Sequence, residues 1–252
     1  MIFGLFKISF IFISKLMKLF INLFIMLFKC SYTLQTLTPK QKKMHDDILK
    51  HDLVIASGPA GTGKTMIATT TAIEMLDNND IKKIVITRPL VSVENEDIGF
   101  LPGDVNQKVE PWMQNIRDIL NKRYTNSKLD SMINSGIIEI APMLFMRGRT
   151  FDNTFLICDE VQNTTPKQLK MLLSRIGEGS KIVVTGDSQQ SDIETQNGFC
   201  DLKDRLIKYY GNEHGNEDYK MFNDHISIIE FSFDDVMRSL LCKKILEIYE
   251  GK

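Results

Sequence analysis

Leu53-Val54-Ile55-Ala56-Ser57-Gly58-Pro59-Ala60-Gly61-Thr62-Gly63-Lys64-Thr65 decides the fold of this 252-residue chain. Its first five residues form an unbroken apolar run of strand length. Such a run, without alternation, suits a parallel strand buried on both faces. It passes straight into G-x-x-x-x-G-K-T, from Gly58 to Thr65. Glycines at these points let the backbone wrap an anion and turn its N–H groups inward. Lys64 then reaches the β- and γ-phosphates, and the Thr65 hydroxyl serves Mg²⁺. A helix is predicted from Lys64 to Leu76, so the pattern lies between strand and helix, where phosphate binding requires it. An ordinary glycine turn is the competing reading, and that context argues against it. The predicted phosphate-binding loop is therefore Gly58, Pro59, Ala60, Gly61, Thr62, Gly63, Lys64 and Thr65.

Strands and helices alternate on either side of the loop. Thr38 and Pro39 are a helix start, N-cap followed by Pro at the first helical position, and a helix runs to His51. Ile81–Thr87 (IKKIVIT) is a second strand. Val105–Lys122 and Asn126–Asn134 are helices, and Ile137–Ala141 is a short strand. Phe155–Cys158 (FLIC) is another buried strand, followed by a helix Pro166–Ile176. Lys181–Thr185 and Ile226–Phe231 are further strands, and Asp234–Tyr249 is a last helix capped near Ser232 or Asp234. Gly211–Asp218 (GNEHGNED) is a polar surface loop. The class is α/β: a P-loop NTPase with a mostly parallel sheet and helices on both faces.

Two acids close the FLIC strand, Asp159 and Glu160. A carboxylate at the carboxyl end of a parallel strand points into the ligand crevice. Asp159 is placed to hold Mg²⁺ with Thr65, and Glu160 to polarise an attacking water. P-loop kinases do not usually carry this adjacent pair, so hydrolysis is favoured over phosphate transfer to a metabolite. Thr185-Gly186-Asp187-Ser188-Gln189-Gln190 ends the next strand. A glutamine there can sense the γ-phosphate and hold the lytic water. Upstream, Gln41 can pair with adenine N6 and N7 and so select ATP. A polar turn and a surface helix residue are the plain alternatives for these glutamines.

In this order the pieces resemble the PhoH-like family of P-loop ATPases, whose RecA-like core is related to superfamily 1 helicases. The likeness rests on Ile86-Thr87-Arg88-Pro89, on Gly99-Phe100-Leu101-Pro102-Gly103-Asp104, and on Phe145-Met146-Arg147-Gly148-Arg149-Thr150. Lys108 and Pro111-Trp112 extend it. Asp159-Glu160-Val161-Gln162-Asn163 is similar to the family's DEAQN, with Val161 for Ala. Gly186-Asp187-Ser188-Gln189-Gln190-Ser191-Asp192 is similar to GDxxQxD, which selects Gln190 over Gln189. Asp235-Val236-Met237-Arg238 is similar to DVVR. The likeness covers about residues 34–252 and implies a RecA-like fold with ATP and Mg²⁺ as ligands. It also implies single-stranded RNA or DNA as partner, with catalytic roles for Lys64, Glu160 and Gln190. A lone RecA-like domain lacks the second domain that closes the site in helicases. The implied assembly is a homo-oligomer, with a hexameric ring as one form, in which Arg238 completes a neighbour's site. Arg88, Arg147 and Arg149 are the candidates for nucleic-acid phosphates, with Phe100, Trp112 and Phe145 as stacking surfaces. Packing for Trp112, and an ion pair of Arg147 with Glu110 or Asp97, are the plain readings.

Composition narrows the rest. Lys and Arg total 31 against 32 Asp and Glu, for a net charge of −1. No general excess of base announces a nucleic-acid coat. Met1–Cys30 carries four Lys and no acid, and the remainder holds 27 basic against 32 acidic groups, a net of −5. The four Cys are far apart, with no disulfide framework or zinc spacing, and fit a reducing cytoplasmic compartment. Twenty-one of the first thirty residues are Phe, Ile, Leu or Met, yet the longest uncharged run, Leu19–Phe28, has ten residues. A membrane span wants about 20. Three readings of residues 1–33 stay open: an over-called start, a membrane-associating helix, and a folded part of the core. At roughly 150 residues per domain, residues 34–252 form one ATPase domain. Two rivals to a polymer-coupled ATPase remain, a nucleotide-gated assembly module without nucleic acid and a small-molecule kinase.

Overall fold

Short runs rich in Ile and Val become neighbouring parallel strands, since β-branched side chains pack well on a pleated surface covered on both faces. The computed structural model describes residues 37–89, 105–187, 197–210, 221–222 and 225–237, together with 244 and 248. By its packing the chain divides into two units, Met1–Lys42 and Lys43–Lys252. The described part of the first is Leu37–Lys42. Here Thr38 Oγ1 accepts from Gln41 N (3.2 Å) and Gln41 Oε1 accepts from Thr38 N (3.1 Å), a reciprocal cap on the helix start.

The elements in order are α1 (Pro39–Lys50), β1 (Leu53–Ser57), α2 (Lys64–Asn78), β2 (Lys83–Arg88), α3 (Val105–Asn121) and α4 (Asn126–Asn134). There follow β3 (Ile138–Pro142), β4 (Thr154–Cys158), α5 (Pro166–Leu173), β5 (Lys181–Gly186), α6 (Gly198–Tyr210), β6 (Met221–Phe222) and β7 (Ile226–Glu230). The sheet order is β3-β2-β4-β5-β1-β7-β6. Every pairing is parallel except β6 with β7.

Side-chain alternation assigns the two faces. Ile55, Val85, Leu156, Cys158, Ile182, Val184 and Ile228 join one buried cluster with Leu169 and Leu172 of α5 and Phe199 of α6. The residues of opposite parity, among them Ile84, Ile86, Phe155, Ile157 and Val183, are equally buried but belong to the other face. There α2 packs against β2, β4 and β5. Helices thus cover both faces, as the sequence leads one to expect.

Differences from the sequence expectation are local. Helix α2 runs two residues beyond Leu76 and stops at Asn79, which takes the left-handed conformation (φ 65°). Helix α5 stops at Leu173, short of the expected Ile176, because Phe151 draws the next residues into its own backbone pairing: its N–H donates to Arg175 O at 2.9 Å, and it bridges Ile176. Helix α6 and strand β6 are additions that the sequence reading did not contain. Expectations for Met1–Cys30, Gly99–Asp104 and Gly211–Asp218 lie outside the described residues, as does most of Asp234–Tyr249. Of that last segment, a 3₁₀ turn Phe233–Asp235 is described, capped by Ser232.

Candidate nucleotide-binding site

The loop Gly58–Thr65 leaves the carboxyl end of β1 and opens α2. Gly58 has φ 137°, and a Cβ there would collide with the Phe231 carbonyl oxygen. Only glycine lets the strand ends approach so closely. Gly63 caps α2 in the left-handed conformation without a side-chain acceptor. The first N–H groups of α2 are therefore not taken by a capping side chain, the arrangement that receives an anion. Lys64 Nζ donates to Gly58 O (2.6 Å) and Pro59 O (2.9 Å), folding the ammonium into the loop. Burial draws its pKa below the ordinary value, against the pull of Asp187, Glu160 and Asp159. A phosphate would replace those carbonyls and restore a full counter-charge.

The next strands over supply the acids. Strand β5 lies between β1 and β4, so the carboxyl ends of β1, β5, β4 and β2 stand in a row. Asp159 Oδ1 accepts from Thr65 Oγ1 at 2.8 Å and from Thr185 Oγ1. Desolvation pushes its carboxyl pKa up, Thr185 and Thr65 oppose that by donating hydrogen bonds, and Glu160 adds to it. Sequence separation had hidden Thr185 as a partner. A hydroxyl and a carboxylate in contact at the mouth of a phosphate loop are hard oxygen donors, fit for a Mg²⁺ that keeps waters and takes phosphate oxygens as its other ligands. Among the described residues no group of three or more His, Cys, Asp or Glu could hold a metal by itself.

Glu160 follows with φ 56° and ψ 39°, left-handed for a non-glycine residue. Gln162 explains how it is held there. Its Nε2 donates to Glu160 Oε2 at 2.6 Å, and its Oε1 accepts from Asp187 N at 3.1 Å. Gln162 is 2% exposed. It ties the acid after β4 to the turn after β5. In the sequence Gln162 belongs to the Asp159–Asn163 motif, and nothing in that stretch marks this function. Val161 and Cys158 are fully buried in the core cluster, and burial raises the Cys158 thiol pKa, as suits a packing residue.

These groups line one cleft of about 270 Å³, with Ala60, Gly61, Gly63, Lys64, Thr65, Asp159, Glu160 and Asp187 in its wall. Arg88 is in the same wall, as are Asn115, Ile116 and Ile119 of α3. The α3 residues went unremarked in the sequence, where nothing but helical periodicity distinguishes them. The other two arginines lie elsewhere. Arg149 makes a two-pronged pair with Glu139 (2.6 and 2.7 Å) and stacks over Phe151. Arg147 is exposed, next to the exposed Phe145, just past the carboxyl end of edge strand β3. Gln41 is buried, with its side-chain oxygen committed to Thr38 N. Gln190 and Arg238 lie outside the described residues. Met237, just before Arg238, donates its N–H to Gly61 O at 3.0 Å, so the segment entering Arg238 runs against its own phosphate loop.

A family model described as PhoH-like protein matches residues 33–250. The chain belongs to the PhoH-like family. A PhoH-like protein of Bacillus subtilis is 42% identical over 203 residues, covering 80% of this chain and 59% of that one. A PhoH-like protein of Synechocystis is 39% identical over 214 residues, covering 84% of this chain and 61% of that one. This PhoH-like chain therefore spans about three fifths of the length of these curated relatives. Among solved structures, the large terminase of a thermophilic bacteriophage is similar in fold. Its TM-score is 0.52 at 12% identity, over 84% of this chain and 50% of that one. The PhoH-like chain carries the P-loop nucleotide-binding fold. Among its described residues no helix is long and apolar enough to cross a membrane.

Proposed function

We propose that this chain binds ATP as its Mg²⁺ complex at Gly58–Thr65 and hydrolyses it to ADP and phosphate. The observation that carries the reading is convergence: Lys64, Thr65, Asp159 and Glu160 line one cleft at the carboxyl ends of neighbouring parallel strands. Lys64 leaves the Gly58 and Pro59 carbonyls for the β- and γ-phosphates. Thr65 and Asp159 hold the ion, which when bound neutralises phosphate charge. Glu160 orients a water and takes its proton as that water attacks the γ-phosphorus. The bond to the β–γ bridging oxygen breaks, and its electrons leave on ADP. Gln162 keeps the Glu160 carboxylate aimed throughout. Gln190 is the proposed γ-phosphate sensor. Catalysis of this kind consists mainly of positioning and charge neutralisation.

The polymer coupled to hydrolysis is proposed to be single-stranded RNA or DNA. Exposed Phe145 and Arg147 support this, since they offer a stacking ring and a cation at the same sheet edge as the cleft. The proposed setting is the cytoplasm, and the proposed assembly a homo-oligomer in which Arg238 acts across the interface. Residues 34–252 are the proposed ATPase domain, and 1–33 an extension outside it. The deciding experiment is ATP turnover with and without single-stranded RNA and DNA at several salt concentrations. Turnover raised by polymer, and less so at high salt, supports the reading. Turnover indifferent to every polymer favours a nucleotide-gated assembly module, and phosphate transfer to an acceptor other than water favours a kinase.

A further inference from the structure

Arg88 stands apart from the two arginines with which the sequence reading groups it. Thr87 pairs in register with Cys158, and the Asp159 N–H donates to Thr87 O at 2.9 Å. The residue after Thr87 thus ends its strand beside the metal-site acid, one strand spacing of about 4.8 Å away. Arg88 lines the nucleotide cleft together with Lys64, Asp159 and Glu160, whereas Arg147 and Arg149 do not. Arg149, Arg117, Arg123 and Arg205 each hold a carboxylate. Arg88 has no ion pair among the described residues. A partly buried guanidinium in a polar cleft, close enough for its charge to act on Asp159 yet forming no ion pair among the described residues, can receive an anion that arrives from outside.

We infer that Arg88 is a phosphate ligand of this site, whose guanidinium grips the γ-phosphate from the β2 side while Lys64 grips it from the loop. The inference rests on the ATP reading above. Three carboxylates in the cleft, Asp159, Glu160 and Asp187, repel a triphosphate, and Lys64 is a single compact charge. The planar guanidinium adds a second cation that can take two phosphate oxygens at once, an arrangement a lysine cannot match. Because β2 lies on the far side of β4 from the loop, Arg88 can reach the end of the triphosphate and not its β-phosphate side. It therefore distinguishes ATP from ADP. Charge supplied by an arginine at the transferring group can change such rates by about 10³–10⁵. Here it would come from the same chain. The polymer is left to residues at the β3 edge, where Arg147 and Phe145 are exposed.

The test compares wild-type protein with Arg88→Ala and Arg88→Lys. Affinities for Mg²⁺·ADP and for a non-hydrolysable Mg²⁺·ATP analogue are measured by calorimetry. Basal turnover is measured without polymer, and binding of oligo(U) by fluorescence anisotropy. Arg88→Ala should bind ADP within about twofold of wild type, which also shows the site is folded. It should lose the preference for the analogue over ADP, and turnover should fall by at least about 10²-fold. Arg88→Lys should recover much of the preference and little of the rate, because a point charge replaces the fork. Oligo(U) affinity should stay within about twofold. An Arg88→Ala protein with wild-type preference and turnover overturns the inference and leaves the ATP reading standing. So does one that loses only oligo(U) binding, which would return Arg88 to the polymer. A wild-type protein that binds neither nucleotide overturns the ATP reading, and this inference with it.

Discussion

Glu160 is held in a left-handed backbone conformation that costs a non-glycine residue about 1–2 kcal/mol. Such strain survives where the surroundings over-determine it, and here they do so through Gln162. The acid is therefore aimed before any ligand arrives. Replacing Glu160 by Gln should leave ATP affinity within a few fold and lower turnover by at least about 10²-fold. Lys64→Ala should lose both, because in the proposed mechanism Lys64 holds the bound phosphates as well as the reacting ones. Gln162→Ala should lie between them, with normal ATP affinity and a turnover loss of about tenfold. The readout is an equilibrium titration beside a phosphate-release assay, and near-normal turnover in Glu160→Gln would remove the role given to it. The loop and the Asp159-Glu160 pair were legible in sequence because their neighbours in space are their neighbours in the chain. Gln162 was not, since its work depends on Asp187, which comes near only when β5 is seated beside β4. Arg88 was legible as a cation at a strand end. Which ligand it meets depends on strand order, and that is written in no single stretch.

Strand β3 shows what an edge requires. Glu139 is its second residue, clasped by Lys83 of β2 and by Arg149. The Arg149 hydrogen bonds chiefly, then Lys83, hold the Glu139 carboxyl down at about 2, from an ordinary 4.5. A carboxyl whose folded pKa is lowered adds stability above its unfolded pKa, and that stability is lost as pH falls through the folded one. Its contribution is complete above pH 4.5 and fades toward pH 2. Glu139→Gln should thus melt below wild type at pH 7, and the two melting curves should converge as pH is lowered across that window. A gap that stays constant with pH would show that the pair adds no stability. The same pairing bears on Arg149: a residue read from sequence as a candidate for RNA or DNA phosphates is engaged with Glu139 of its own sheet edge. Elements with one periodicity and clear punctuation were legible, as with α4, whose bounds match the expectation residue for residue. Helix α6 has a weaker signature: Asn197 caps it by accepting from Cys200 N at 2.8 Å, but a glycine holds its first position, and its apolar spacing rests on Phe199, Leu202, Leu206 and Tyr210.

At the scale of the whole molecule, the alternation of strands and helices gave the class directly, but not the order of the strands. The insertion of β5 between β1 and β4 results from long-range choices that local pattern does not carry. Assembly belongs to this scale too. If Arg238 completes a neighbouring site, Lys64→Ala and Arg238→Ala proteins should each be inactive alone. Mixed in equal amounts, they should regain activity at up to about a quarter of their interfaces. No recovery on mixing, with a monomer in solution, would place Arg238 at the site of its own chain.

The stretch after β7 meets the end of β1 and then the phosphate loop that follows it. Phe231 N–H donates to Ser57 O at 2.7 Å, and Met237 N–H donates to Gly61 O at 3.0 Å. Whatever displaces Gly61 pulls on Met237. Met237 is thereby joined to the loop through main-chain atoms, a linkage that a side-chain substitution at either residue leaves in place.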